Sequence, residues 1–160
     1  MIYLDETMIG PKTVLNTWLE TKSPTFLSKQ QTSMISLLCH WIIEPCLDFV
    51  TRKCEQLLDC SKMHLTCSFI KLFECMLEDI RKTYEETEKS LKNEEEIMEQ
   101  ELSKLSSNNH LEIEKTEMMV ANFFLSVVWS IGAVLKKSSK EKFSFYFNEL
   151  CENSIKSHQR

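Results

Sequence analysis

Two glycines, 122 residues apart, and three prolines are all that this chain of 160 residues has for making sharp turns. Most tight turns use glycine where φ is positive or proline where φ must be fixed. With so few of either, the chain has to travel in long straight pieces. Regular strand alternation is also absent. The expected class is therefore all-α: a helical bundle of about five helices with a long acidic helical arm and one orphan N-terminal strand. The length is one domain's worth, and an apolar share of 42% is that of a globular chain.

The strand is Met1-Ile2-Tyr3-Leu4-Asp5. A lone strand cannot satisfy its own backbone groups, so it has to pair with something, and no second candidate follows. Gly10-Pro11 breaks the chain and starts a helix, 12–21, with Val14, Leu15, Trp18 and Leu19 on one face. Residues 22–25 form a loop. A long helix runs from Ser28 to Leu58 and kinks or splits near Ile43–Glu44, because Pro45 removes the bond to residue 41. A turn follows at 59–61, where Ser61 can cap the next helix.

That helix starts near Lys62 and is rich in apolar residues as far as Ile80. Beyond it only one stripe persists: Tyr84, Leu91, Met98 and Leu105, seven apart. The companion positions turn polar at Thr87, Glu94 and Glu101, whereas a paired coiled coil needs both seams. Residues 82–115 therefore read as a solvated acidic arm, ending at Ser106-Ser107-Asn108-Asn109. Glu85–Lys89 and Glu88–Lys92 support it at i,i+4 spacing. From Glu74 to Glu117 there are 14 acidic and 6 basic residues, a balance of −8, which leaves +3 for the rest of a chain whose net charge is −5. A fourth helix covers 112–137 and a last one 140–155, with Phe143, Tyr146, Phe147 and Leu150 on one face.

Met118 to Leu135 is a run of eighteen residues without a charge, bounded by Glu117 and Lys136-Lys137. A membrane span wants about 20 apolar residues. This run is shorter and contains Asn122, Ser126, Ser130 and Gly132. A helix apolar on every side is otherwise the buried centre of a bundle, and that is the reading taken. Gly132 costs helix stability by about 1 kcal/mol relative to alanine, so a close approach of neighbouring backbone is expected there. Trp18, Trp41 and Trp129 read as core anchors. A buried Trp129 replaced by alanine would cost about 3–5 kcal/mol.

Little chemistry is legible. A pI of 5.5 excludes the global basic field that attracts nucleic acid or anionic lipid. Seven cysteines, an odd number, together with the absence of a secretory-type N-terminus, point to a reducing intracellular compartment and free buried thiols. A Gly-x-x-x-x-Gly-Lys phosphate loop cannot be written with these glycines. Cys60, His64 and Cys67 could share a helix surface, but structural zinc wants four ligands in paired short motifs. Cys39 and His40 are adjacent and point to different faces, a poor nucleophile–base pair. No catalytic, cofactor-binding or metal residue is assigned, and the residues alone describe a helical interaction or structural module.

Three blocks in order carry a family resemblance. They are Met1-Ile-Tyr-Leu-Asp with Gly10 and Val14-Leu-Asn-Thr-Trp-Leu19; Trp41-Ile-Ile-Glu-Pro-Cys-Leu-Asp-Phe-Val50; and Phe124-Leu-Ser-Val-Val-Trp-Ser-Ile-Gly132 with Phe143 and Phe147-Asn-Glu-Leu150. Together they resemble dynein heavy chains, most closely the axonemal branch. The region is the end of the second AAA+ module and its helical lid, before the third module. The resemblance implies that 1–9 is the last strand of an α/β subdomain whose sheet would precede Met1. It makes 10–81 and 116–160 lid helices, with 82–115 an insert, and Trp129-Ser-x-Gly132 the fingerprint of the central helix. Trp18, Trp41, Pro45, Phe49, Phe124, Trp129, Gly132, Phe143 and Phe147 would be packing anchors.

The family's phosphate-binding loop and acidic metal site lie before the matching strand. The resemblance thus implies a non-catalytic chain with no cofactor of its own, ATP belonging to the parent motor. It implies neighbouring AAA+ modules of the same heavy chain as partners, with intermediate and light chains and microtubules reached only through the intact motor. Neither nucleic acid nor membrane is expected, and the location implied is the cytoskeleton and the ciliary axoneme. The chain departs from the family's pattern at Asp5-Glu6, at Gly10-Pro11 and at Gly132-Ala133, and its acidic insert is longer than the usual spacer. The alternative from the residues is a free-standing interaction module that binds through Tyr84, Leu91, Met98 and Leu105.

Overall fold

A computed structural model describes residues 10–21, 27–95 and 101–157, with side chains described for 10–21, 27–86 and 110–152. The strand expected at 1–5 lies outside the described residues. Among those described, the chain is helical with no strand: α1 Pro11–Thr21, α2 Lys29–Leu38, a π-turn Cys39–Ile43, α3 Glu44–Lys53, α4 Lys62–Glu95, α5 Glu101–Val127, a second π-turn Val128–Gly132, and α6 Lys137–Ser157.

The first boundary that sequence chemistry sets is the start of α2. Ser28 accepts from the Gln31 amide at 3.2 Å while the Gln31 side chain accepts from the Ser28 amide at 3.0 Å, a reciprocal capping box that satisfies two orphan donors of the first turn. Replacing Ser28 with alanine is expected to cost about 1 kcal/mol, read from the denaturation midpoint. No change would mean that another group caps α2. Ser61 caps α4 as expected from sequence, accepting from the His64 amide at 3.3 Å.

Pro45 does not split its helix. α2, the π-turn and α3 run on continuously from Lys29 to Lys53. The proline ring would clash with the carbonyl four residues back in a regular α-helix. The turn before it is instead a π-turn, whose extra residue widens the helix locally. Ile42 and Ile43, consecutive residues, are both fully buried there. The helix ends at Lys53 rather than Leu58, because 54–61 turns away to form an extended edge: Gln56 makes an isolated antiparallel bridge with Leu135.

The core is one cluster, built on two facing stripes. α4 contributes Leu65, Phe69, Phe73, Leu77, Ile80 and Tyr84; the other side contributes Met119, Phe123, Val127, Ile131 and Leu135, all 1% exposed or less. The second set repeats every four residues, the i±4 ridge of helix packing. Phe123 sits edge-on to Phe69 and Phe73, with centroids 5.2 and 5.5 Å away, a geometry that the ring quadrupoles favour. α1 closes one side through Leu15 and Trp18.

At the root of the acidic arm, Tyr84 is packed and not solvated. α4 is described as far as Glu95 and α5 from Glu101, so Ser106–Asn109, expected to end the arm, is helix. The two helices pair: Lys115 lies over the Tyr84 ring, 6.0 Å from its centroid. Tyr84 is only 9% exposed. The helix-breaking tendency of the Ser-Ser-Asn-Asn stretch is a weak prior that context overrides. Leu91, Met98 and Leu105, and the ion pairs proposed at Glu85–Lys89 and Glu88–Lys92, involve side chains outside those described. Glu85 itself pairs with Arg81 at 2.5 Å.

The uncharged run is corrected as well. Its helix ends at Gly132, short of Leu135, and it is buried on one face only. Met118, Leu125, Val128 and Trp129 are 39–66% exposed. The buried serines turn inward: Ser126 donates to the Asn122 carbonyl at 2.7 Å and Ser130 to the Ser126 carbonyl at 2.5 Å, so no hydroxyl is left without a partner. Among the described residues the helix long and apolar enough to cross a membrane is Lys29–Lys53. Its stripe Ile35, Cys39, Ile42, Ile43, Cys46, Leu47 and Val50 is buried in the core.

Candidate functional surface

Among the described residues no three or more His, Cys, Asp or Glu side chains converge as a metal site would require. Of the sequence candidate Cys60, His64 and Cys67, His64 directs Nδ1 at Ser61 Oγ, 3.1 Å away. Cys39 and Cys46 lie in the core, and burial pushes both thiols up to about 12. A thiol held protonated is a poor nucleophile. Exposed Cys75 is expected to react with a disulfide reagent within minutes at pH 8, while Cys39 and Cys46 react only on unfolding. Rapid labelling of Cys39 in the native chain would overturn its placement in the core.

The nine residues singled out from sequence separate into two groups. Trp18 is 4% exposed and donates from Nε1 to Glu74 Oε1 at 2.7 Å. Phe143 and Phe147 are buried and stack on each other, 5.8 Å apart. Phe124 is partly buried, edge-on to Phe147 at 6.0 Å. Phe49 is partly buried and stacks on Tyr146 at 4.0 Å, with planes 3° apart. Pro45 is half-buried at the start of α3. Gly132 is buried, and a Cβ built on it would lie 3.0 Å from Phe143 Cε1. The expected close approach is therefore real, made by an aromatic ring and not by backbone.

Trp41 and Trp129 fall outside the core, at 40% and 66% exposed. The stripes show why. Trp129 is two residues from both Val127 and Ile131, roughly 200° round the helix from the former, and Trp41 stands in the same relation to Cys39 and Ile43. Trp129 is therefore not a buried anchor, and the cost of about 3–5 kcal/mol that belongs to a buried ring does not apply to it. Trp129→Ala is expected to change unfolding free energy by no more than about 0.5 kcal/mol while reducing the water-exposed component of tryptophan emission, of which Trp41 keeps a part. A loss of several kcal/mol in urea would return Trp129 to the core.

The outward side of Trp129 belongs to a groove of about 660 Å³ between the second π-turn and α6. Val128 and Trp129 form one wall, Gly132, Phe143 and Phe147 the floor, and Lys140 the rim. Lys140 is the one charged side chain among its lining residues. Leu125, one turn before Val128 and Trp129, is 43% exposed and extends the apolar surface. Both exposed tryptophans lie within π-turns, whereas buried Trp18 lies in regular α-helix. Sequence reasoning missed this surface because it counted residue types along the run and not the angle at which they leave it.

Among the described residues the molecule is a helical bundle with its Trp-Ser-x-Gly segment in a π-turn. A family model described as the dynein heavy chain AAA lid domain matches residues 35–159. That is most of the chain, and the chain belongs to that family. Among curated proteins it is similar to dynein axonemal heavy chain 3 of Mus musculus, 28% identical over 94% of this chain, and to its counterpart in Homo sapiens, 25% identical over the whole chain. Human dynein axonemal heavy chain 1 is 24% identical over 96% of it. The chain spans only 3–4% of the length of these relatives. No solved structure matches.

Proposed function

We propose that this chain acts as a non-catalytic lid segment of a dynein motor ring, of the second AAA+ module. It packs against neighbouring modules of the same heavy chain and contributes to ATP-driven movement along microtubules only within the intact motor. Its place is then the ciliary axoneme, its contact with microtubules and with intermediate and light chains is indirect, and ATP is bound by other parts of the motor. The observation that carries this reading is the lid-family match over 35–159, which leaves out α1 and the start of α2. The axonemal relatives support the location.

The reading as a free-standing module that binds through Tyr84, Leu91, Met98 and Leu105 loses its first contact. Tyr84 is already used inside the molecule, against α5.

The test is an immunoblot of ciliated tissue from the source organism, with an antibody raised to residues 85–101. A band only at heavy-chain mass, far above 18.8 kDa, supports the lid role. A distinct band near 18.8 kDa alone overturns it.

A further inference from the structure

We infer that the groove between the second π-turn and α6 is a docking site for an apolar helical face bearing a carboxylate, supplied by another segment of the same heavy-chain polypeptide. This rests on reading the chain as a heavy-chain lid and specifies which of its surfaces is covered, and by what chemistry.

Four observations carry it. Trp129 is 66% exposed, beside Val128 at 42% and Leu125 at 43%, so three large apolar side chains share one outward face. Clustered exposed apolar surface marks contact sites, and tryptophan is the residue most enriched where binding energy concentrates. The groove floor is rigid: a Cβ at Gly132 would sit 3.0 Å from Phe143 Cε1, and Phe143 is held in turn by its stack on Phe147. The wall is a π-turn, a backbone form that recurs at functional positions. The rim charge is Lys140, with no acidic side chain lining the groove. An apolar helix face laid beside Trp129 therefore gains from an Asp or Glu opposite Lys140 and is penalised by a second cation. The source of the segment follows from length. This chain is 3–4% of its relatives, so in a polypeptide of that size more than nine-tenths of the available surface lies outside these residues and is held close by covalent linkage.

Trp129→p-benzoylphenylalanine, introduced into the native coding sequence, places a photo-crosslinker on the groove wall. The product is purified, sized, irradiated and digested. The expected result is a crosslink from position 129 to an apolar peptide of the same polypeptide that contains Asp or Glu and lies outside residues 1–160. Adding Lys140→Glu is expected to reduce its yield about tenfold and Lys140→Arg to leave it within about twofold, the contrast required of a charge contact. Crosslinks to residues 1–160 of a second copy, to a separate protein, or to nothing overturn the proposal. So does a yield indifferent to Lys140→Glu. The two readings fail separately. A polypeptide of heavy-chain size without the crosslink removes the docking site and leaves the lid role. A product of 18.8 kDa removes the lid role and the docking site with it.

Discussion

Replacing Phe123 with alanine is expected to destabilise the chain by about 3–5 kcal/mol, the usual range for a fully buried phenylalanine. Phe123 is 0% exposed and packs edge-on against Phe69 and Phe73 on α4. It also meets Phe124 at 87° and 5.8 Å. Truncation removes the ring from the point where both core stripes meet, and the surrounding rings are too large to collapse into the space. Urea unfolding should show a lower midpoint with an unchanged slope. A shift worth less than about 1 kcal/mol would mean that the α4–α5 contact is not the centre of the fold.

Trp18→Ala is expected to cost a similar amount, about 3–5 kcal/mol, for a different reason. Trp18 is the main fastening of α1 to the bundle: its ring lies 6.1 Å from Phe73 and its Nε1 donates to Glu74. Trp18→Phe separates the two parts. It keeps most of the packing and loses the hydrogen bond, worth about 0.5–1.5 kcal/mol net, or up to about 3 to a charged acceptor. The phenylalanine variant should therefore be clearly less damaged than the alanine variant. If both variants were equally damaged, the indole–carboxylate contact and not packing would hold α1 in place.

What could be read from sequence follows the physics of each signal. Helix existence was legible because glycine and proline were too scarce for anything else. The starts of α1 and α4 were legible because Gly10-Pro11 and Ser61 carry specific capping chemistry. The end of the acidic arm was not. Ser106–Asn109 looks like a stop by local propensity, yet it lies inside α5, and propensity is a prior that context overrides. Pro45 was correctly seen as a defect, yet the remedy, a widened turn at Cys39–Ile43, has no signature in residue type. The candidate surface was half legible. The Trp-Ser-x-Gly segment marked the place, and the four-residue repeat Met119, Phe123, Val127, Ile131, Leu135 already excluded Trp129 from the buried side.

The short contact between residues 55–57 and 134–136 has a mechanical consequence. Leu57 N donates to the Val134 carbonyl at 2.7 Å and Lys136 N to the Glu55 carbonyl at 3.0 Å. Ser139 Oγ accepts from Glu55 N at 2.9 Å, and Lys136 Nζ reaches Glu55 Oε2 at 3.3 Å. These bonds clamp the corner between α5 and α6 to the segment that joins α3 and α4, so the roots of four helices share one pivot. From that pivot α4 extends for 34 residues, a lever of about 50 Å at 1.5 Å per residue. A tilt of about one degree at the clamp moves the far end of α4 by about 0.9 Å on that length. The molecule is thus geared: a small rotation at its root becomes a displacement of atomic size at its tip.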